Sequence, residues 1–287
     1  MPPVSDGYGF RVRLAVIIPA AGASTRYSNP DAALGVRRHK LDEDIGGRSV
    51  LQRSVELFTS LGSLLAGEAE VGPIIVAGPH DESAMAEFQL RHGDKLALLG
   101  ATLVRGGAVH RYESVAAALE HVPEDATHIA VHDAARPVTE PALIDRVVRA
   151  AQAHGAAVPG VPVADTLKRV GDPVESATDD PLDAILAGSG GGSRAEARAV
   201  ESTIDRTGLY QIQTPQVFEA DLFRRAYAQD DLSSTDDAGL VERLGERVVV
   251  VEGDPLNIKI TRPRDLEVAR AAGGFRAPEG RPSHKRF

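Results

Sequence analysis

The sequence predicts an α/β fold, Rossmann-like, in which a mostly parallel sheet carries helices on both faces. Apolar β-branched runs alternate with amphipathic helical stretches, the beat that right-handed strand-helix-strand crossovers produce. At least one run, Leu14-Ala15-Val16-Ile17-Ile18, is uninterrupted enough to be covered on both sides. The runs end in small or charged residues, and parallel strands place such ends along one edge of the sheet.

Residues 1–10 hold turn formers without periodicity and read as a loose arm. The first strand is residues 14–18, stopped by Pro19. Residues 45–61 place Val50, Leu51, Ser54, Val55, Phe58 and Leu61 at helical spacing. A strand over 73–77, a helix over 81–92 and a strand over 101–104 follow, the last ending at Gly106-Gly107. Residues 114–120 are helical and 127–131 form a strand that runs into His132-Asp133-Ala134-Ala135-Arg136-Pro137. A helix over 142–153 and a strand over 156–163 lead to Asp165-Thr166. From 171 to 200 the chain turns Gly- and Ser-rich with little to bury, and reads as a projecting flexible loop. Helices over 221–228 and near 236–244, a strand over 248–252, an extended piece over 257–260 and a closing helix over 264–272 complete one domain, 11–272. The Gly/Pro-rich basic end, 273–287, reads as disordered.

The chain has 287 residues, 43% hydrophobic and 25% charged, with no cysteine. Disulfides and thiolate chemistry are excluded, and the composition fits a reducing cytoplasm. A formal net charge of −9 argues against sequence-blind nucleic-acid binding, which needs an excess of Lys and Arg. Arg11 and Arg13 before an apolar run imitate a secretory signal, but the run is short and Pro19 cuts it, so neither secretion nor a membrane is expected.

The first strand delivers a ligand site. Ala20, Ala21, Gly22, Ala23 and Ser24 carry little bulk, so a ligand can approach main-chain N–H groups. A lone glycine here also fits mere close packing, and neither the Walker nor the dinucleotide glycine pattern is present. Arg26 and Lys40 add fixed positive charge, the second requirement of a polyphosphate. Lys40 alone also reads as a solvated surface lysine. Ile258 and Ile260 face one way in an extended segment and Lys259 the other, so an inward Lys259 requires a partner, which a bound phosphate would supply. Asp133 and Arg136 read either as a site pair or as a structural salt bridge, and Ser114 as a helix N-cap, a ligand group or both. Parallel topology predicts that residues 19–22, 106–107, 133–136 and 165–166 line one crevice. His128 and His132 lie four apart in a strand, without an HExxH pattern, so no protein-held zinc or other metal cage is expected.

Taken together, Pro19-Ala20-Ala21-Gly22 with Arg26, His132 to Pro137, Asp165 to Arg169, Gln213-Thr214-Pro215-Gln216, Ser234-Thr235-Asp236-Asp237 and Asn257 to Pro263 resemble the 2-C-methyl-D-erythritol 4-phosphate cytidylyltransferase family. The match is ordered and spans most of 14–272. It implies a nucleotidyltransferase fold with a dimerisation arm at about 165–206, transfer of a cytidylyl group from CTP to the polyol phosphate with release of pyrophosphate, and a role in non-mevalonate isoprenoid synthesis. It further implies Mg²⁺ carried mainly by the triphosphate, and a homodimer. By motif position, Arg26, Lys40 and Lys259 would surround the triphosphate. Ala20, Ala21, Gly22, Gly107, Ala108 and Ser114 would hold the nucleotide, and Asp133, Arg136, Thr166, Arg206 and Thr214 the second substrate. The chain departs from the family pattern in a longer stretch between Arg26 and Lys40, in His39 and Leu41 beside that lysine, in Glu113, and in the 171–200 insertion. The rival expectations are a pentitol-phosphate cytidylyltransferase acting on ribitol 5-phosphate and a non-catalytic nucleotide-binding protein.

Overall fold

The computed structural model describes residues 12–22, 27, 39–61, 69–174 and 197–275. The chain divides into two compact units, one built from residues 1–161 and 212–287 and the other from 162–211.

In the larger unit, strands β1 (Val12–Pro19), β2 (Ala69–Gly78), β3 (Ala101–Arg105), β4 (His128–Val131) and β5 (Ala156–Pro162) alternate with helices α1 (Val50–Thr59), α2 (Glu82–Leu98), α3 (Arg111–Leu119) and α4 (Pro141–His154). The smaller unit contributes β6 (Leu167–Pro173) and β7 (Arg198–Ile204), and β8 (Tyr210–Ile212) returns the chain. Then follow β9 (Gln216–Glu219), α5 (Ala220–Tyr227), α6 (Ala238–Arg243), β10 (Val249–Glu252) and α7 (Pro263–Ala272). The main sheet runs β10-β5-β9-β4-β1-β2-β3. β1 pairs in parallel with β2 and β4, β2 with β3, and β5 with β10, whereas β9 is antiparallel to both its neighbours.

β1 shows why helices cover both faces. Val12, Leu14, Val16 and Ile18 point into one core with α1, α2, α4 and α7, while Ala15 and Ile17 point into a second core with α3, α5 and α6. The alternation follows from the two-residue repeat of a strand, and burial on both sides explains the unbroken apolar run. Local signals set the helix ends. Ser49 and Gln52 form a capping box on α1, Asp81 accepts from the Ala84 N–H on α2, and Gly155 ends α4 at φ +83°.

Several expected boundaries moved. α1 starts at Val50, because residues 39–49 are spent on the 3-10 turn Lys40–Asp42 and the Ser49 cap. α3 starts at Arg111 because Glu113 Oε2 accepts from the N–H groups of Val109 and His110, so Ser114 lies inside the helix and is not its N-cap. Residues 258–260 form no strand; Ile260 N–H donates to Ala135 O in a loop. β6 and β7 pair antiparallel and reach into both ends of the 171–200 stretch expected to be loop. Residues 175–196, together with the 1–10 arm and the tail from 276, lie outside the described residues. The end of α7 does not leave the surface at once, since Phe275 packs on the core with the Arg53 guanidinium 4.4 Å from its ring centroid.

Because β1, β2, β3 and β4 run parallel, their C-terminal ends share an edge, and backbone bonds extend the ladder past it: Ala20 N–H to Ala77 O, Gly106 N–H to Gly78 O and His132 N–H to Ile17 O, each 2.8–2.9 Å. Gly106 is tightly packed between them, since a Cβ there would stand 2.5 Å from Gly78 O and 2.9 Å from Ser114 Oγ. Gly106→Ala must push these strand ends apart, and its cost is of order 1–3 kcal/mol. Urea denaturation checks this; an unchanged midpoint would contradict the packing.

Candidate active site

The strand-end edge opens into a cleft of about 260 Å³ whose wall includes Ala20, Ala21, Gly22, Gly107, Ala108 and Ser114. The first five of these residues also border a second hollow of about 310 Å³. Among the described residues, no atom lies within 4 Å of where a Cβ on Gly22 would stand, so the backbone there is open to a ligand. Gly107 is different: a Cβ would run into Glu113, so only glycine fits. Its N–H donates to Ser114 Oγ at 3.1 Å, and Ser114 is almost fully buried. The serine thus holds the glycine turn from below.

Lys40 lines the same cleft. Its turn is anchored by the buried side chain of Leu41 and by Asp42, whose Oδ1 lies 2.7 Å from His92 Nε2 on α2. Burial would raise the Asp42 carboxyl, but the His92 hydrogen bond and Arg91 leave it below the usual range. His39 Nε2 lies 2.8 Å from Gly22 O, which can only accept, so the imidazole donates and joins the lysine turn to the cradle. Arg26 lies outside the described residues.

Asp133, at the end of β4, is the electrostatic centre. Its side chain is 10% exposed and lines the cleft beside Lys259, whose Nζ is 2.8 Å from Oδ2. The partner that the sequence reading assigned to a phosphate is, in this structure, a carboxylate. Arg111 Nε approaches Oδ1 at 3.4 Å and Arg136 Nε approaches Oδ2 at 3.5 Å. Burial alone would raise the Asp133 pKa, yet Lys259, Arg111 and Arg136 outweigh it and hold the carboxyl far below the ordinary carboxylate range. Arg111 is itself fixed from behind, with Nη2 2.7 Å from Oδ2 of the fully buried Asp237, whose other oxygen accepts from Tyr227 Oη at 2.6 Å. Burial would lower the Arg111 pKa, but Asp237 and Asp133 reverse this and raise it.

Arg136 and Thr214 lie beneath this surface, not on it; both are buried. Arg136 Nη1 donates to Asn257 O at 2.5 Å, so Arg136 forms a structural bridge under the cleft-lining Asp133 carboxylate. Asn257, 1% exposed, joins three loops: its Nδ2 donates to Thr214 O at 2.9 Å and its Oδ1 accepts from Thr139 Oγ1 at 2.8 Å. Lys259 stands two residues beyond it. His132 is fully buried, and burial lowers its pKa to about 4. It contacts Arg136 O and Thr214 Oγ1, while His128 contacts Thr127 Oγ1, so the two histidines face different partners.

Of the crevice predicted from topology, residues 19–22, Gly107 and Asp133 come together with Lys40 and Lys259. Thr166 and Arg206 belong to the smaller unit, where both are exposed. Sequence reasoning missed Arg111 and Asp237. The available signal was spacing: with α3 starting at Arg111, Arg111 and Ser114 stand three apart and share a helix face. Among the described residues no group of three or more His, Asp or Glu is gathered as a metal cage. Asp133 is the acidic residue of the cleft wall. That donor set fits a metal that arrives with phosphate oxygens and asks few ligands of the protein.

Comparison with known proteins identifies the family. The sequence model of the 2-C-methyl-D-erythritol 4-phosphate cytidylyltransferase family matches residues 14–183 and 190–272. Proteins of that name from Rhodococcus jostii (strain RHA1) and Nocardia farcinica (strain IFM 10152) are 39% and 40% identical to the chain. The first alignment covers 93% of this chain and 97% of the relative, the second 89% and 92%. The crystal structure of the enzyme of the same name from Thermus thermophilus superposes with a TM-score of 0.62 at 30% identity, covering 92% of this chain and all of that one. By ordered motifs, fold and cleft, the chain belongs to the 2-C-methyl-D-erythritol 4-phosphate cytidylyltransferase family of nucleotidyltransferases.

Proposed function

We propose that the chain transfers the cytidylyl group of CTP to 2-C-methyl-D-erythritol 4-phosphate. A phosphate oxygen of the polyol phosphate attacks the α-phosphorus, the bond to the bridging oxygen breaks, and pyrophosphate leaves. The observation that carries this reading is the meeting, in one cleft, of an open backbone cradle, two lysines and a neutralised carboxylate. In such a transfer negative charge grows on phosphoryl oxygens, and catalysis consists mainly of positioning and electrostatic stabilisation.

Each residue then has a distinct task. Ala20, Ala21, Gly22, Gly107 and Ala108 present main-chain groups to cytosine and ribose, with Ser114 holding Gly107 in place. Lys40, Lys259 and Arg26 take the triphosphate and the leaving diphosphate. Asp133 stores the Lys259 ammonium at the cleft wall until phosphate oxygens compete for it. Asp133 meets the polyol phosphate at the cleft wall, held from beneath by Arg136 and by the Thr214 hydroxyl, and the motifs add Thr166 and Arg206. Mg²⁺ bound to the triphosphate would supply further charge neutralisation, with Asp133 the carboxylate placed to meet its water shell.

Val170 and Val200, paired across the β6–β7 ladder, and Val174 just beyond β6 are exposed, and this apolar surface supports a homodimer formed through the smaller unit, with that arm completing the neighbour's site. A cytoplasmic setting fits the absence of cysteine, and among the described residues no helix is long and apolar enough to cross a membrane.

Pyrophosphate release should require CTP, Mg²⁺ and methylerythritol phosphate together. Turnover with ribitol 5-phosphate alone would transfer the assignment to pentitol phosphates, and CTP binding without turnover on either would make the chain a nucleotide binder. Lys259→Ala should leave CTP affinity within about tenfold while cutting turnover roughly a hundredfold, the scale of one lost transition-state donor. Calorimetry beside steady-state kinetics separates the two, and equal losses in both would remove Lys259 from the transition state.

A further inference from the structure

His132 is a wholly buried titratable side chain, next in sequence to Asp133, to which the transfer chemistry gives no task. Its contacts have a forced polarity. Arg136 O, 3.1 Å from Nε2, can only accept, so Nε2 carries the proton. In the neutral ring Nδ1 is then a lone pair, and the Thr214 hydroxyl 3.2 Å away donates to it. The same hydroxyl oxygen accepts the Asp133 N–H at 3.0 Å. The hydrogen bonds therefore run one way, from Asp133 N–H through Thr214 O–H to the imidazole and on to Arg136 C=O. They close a ring around the turn that carries Asp133, which the Arg136 N–H to Asp133 O bond of 3.0 Å ties once more.

From this ring we infer that His132 and Thr214 are positioning residues: a neutral imidazole, read through the threonine hydroxyl, fixes the Asp133 backbone and so aims its carboxylate at Lys259 and the polyol phosphate. The inference rests on the function proposed above and sharpens the part Thr214 plays in it, since its hydroxyl is committed to this chain of bonds. The surroundings favour the same state. Phe58 lies edge-on to the ring at 5.2 Å between centroids, and burial disfavours the imidazolium, with the pKa lowered to about 4. Breaking the ring displaces Asp133 without touching the cradle or Lys40, so acceptor and nucleotide should respond differently.

The test uses the full chain, nitrogen NMR of the imidazoles and pyrophosphate-release kinetics with CTP and methylerythritol phosphate. In the unaltered protein at pH 7, His132 should be the neutral Nε2–H tautomer; the Nδ1–H tautomer or an imidazolium would overturn the inference. Thr214→Val, which keeps the shape and removes the hydroxyl, should raise KM for the polyol phosphate about tenfold, the scale of one lost buried hydrogen bond, and KM for CTP less than about twofold. Thr214→Ser should restore the wild-type value within about threefold. His132→Gln combined with Thr214→Val should be no worse than the poorer single variant, because both break one network. Additive losses, or equal rises in both KM values, would refute the relay. Should His132→Gln not fold, the tautomer of the unaltered chain and the two Thr214 variants still decide. Absence of wild-type turnover would sink the proposed function instead, while the tautomer and the shift of the Asp133 amide in Thr214→Val would continue to report on the relay.

Discussion

One carboxylate governs the architecture of this cleft. Asp133 sits where β4 ends, too buried to remain charged alone, and Lys259, Arg111 and Arg136 converge on it from three different segments. A buried charge removed from water is costly unless surrounded by compensating groups. That cost obliges α3, the loop beyond β10 and the turn after β4 to meet. Two of the cations are in turn locked from behind, Arg111 by Asp237 and Arg136 by Asn257 O, whereas Lys259 remains 41% exposed. The arrangement leaves one partly exposed cation on a buried base. In the proposed function, an incoming phosphate draws Lys259 away while the two arginines keep Asp133 neutralised.

Topology does the remaining work. Parallel pairing of β1 with β2 and β4, and of β2 with β3, puts the cradle, the Gly106-Gly107 turn and Asp133 on one edge although more than a hundred residues separate the first from the last. The antiparallel β9 wedged between β4 and β5 has its own use: it brings Gln213, Thr214 and Gln216 against that edge. There Gln216 Oε1 accepts from the N–H groups of Asp237 and Ala238, and Thr214 meets His132. Fold and charge are therefore coupled, because strands that give the core its stability also bring the titratable groups within reach of one another.

Much of this was legible in the sequence, for reasons that differ between residues. Ala20 to Gly22 stand out because small residues after a buried strand permit close approach of a ligand, although they also fit close packing. Lys259 stands out because isoleucines flank it, and the structure gives it an acidic partner where a phosphate was expected. Arg111 was hidden by a helix start read three residues late: Glu113 caps α3 through its side chain, a bond that hydrophobic periodicity does not register. Asn257 and His132 belong to quoted motifs, but their roles arise from partners 43 and 82 positions away, and only tertiary folding pairs them. In the smaller unit, β6 and β7 are strands with largely exposed side chains, so little burial pattern marked where they end.

The claim on which the account depends is that Asp133 stays ionised because three cations surround it. Following its side-chain carboxyl carbon by NMR while pH is lowered measures this directly. The account predicts that the resonance still reports carboxylate well below the ordinary midpoint of about 4. A midpoint at or above that value would mean that burial prevails over the cations, and would contradict the account.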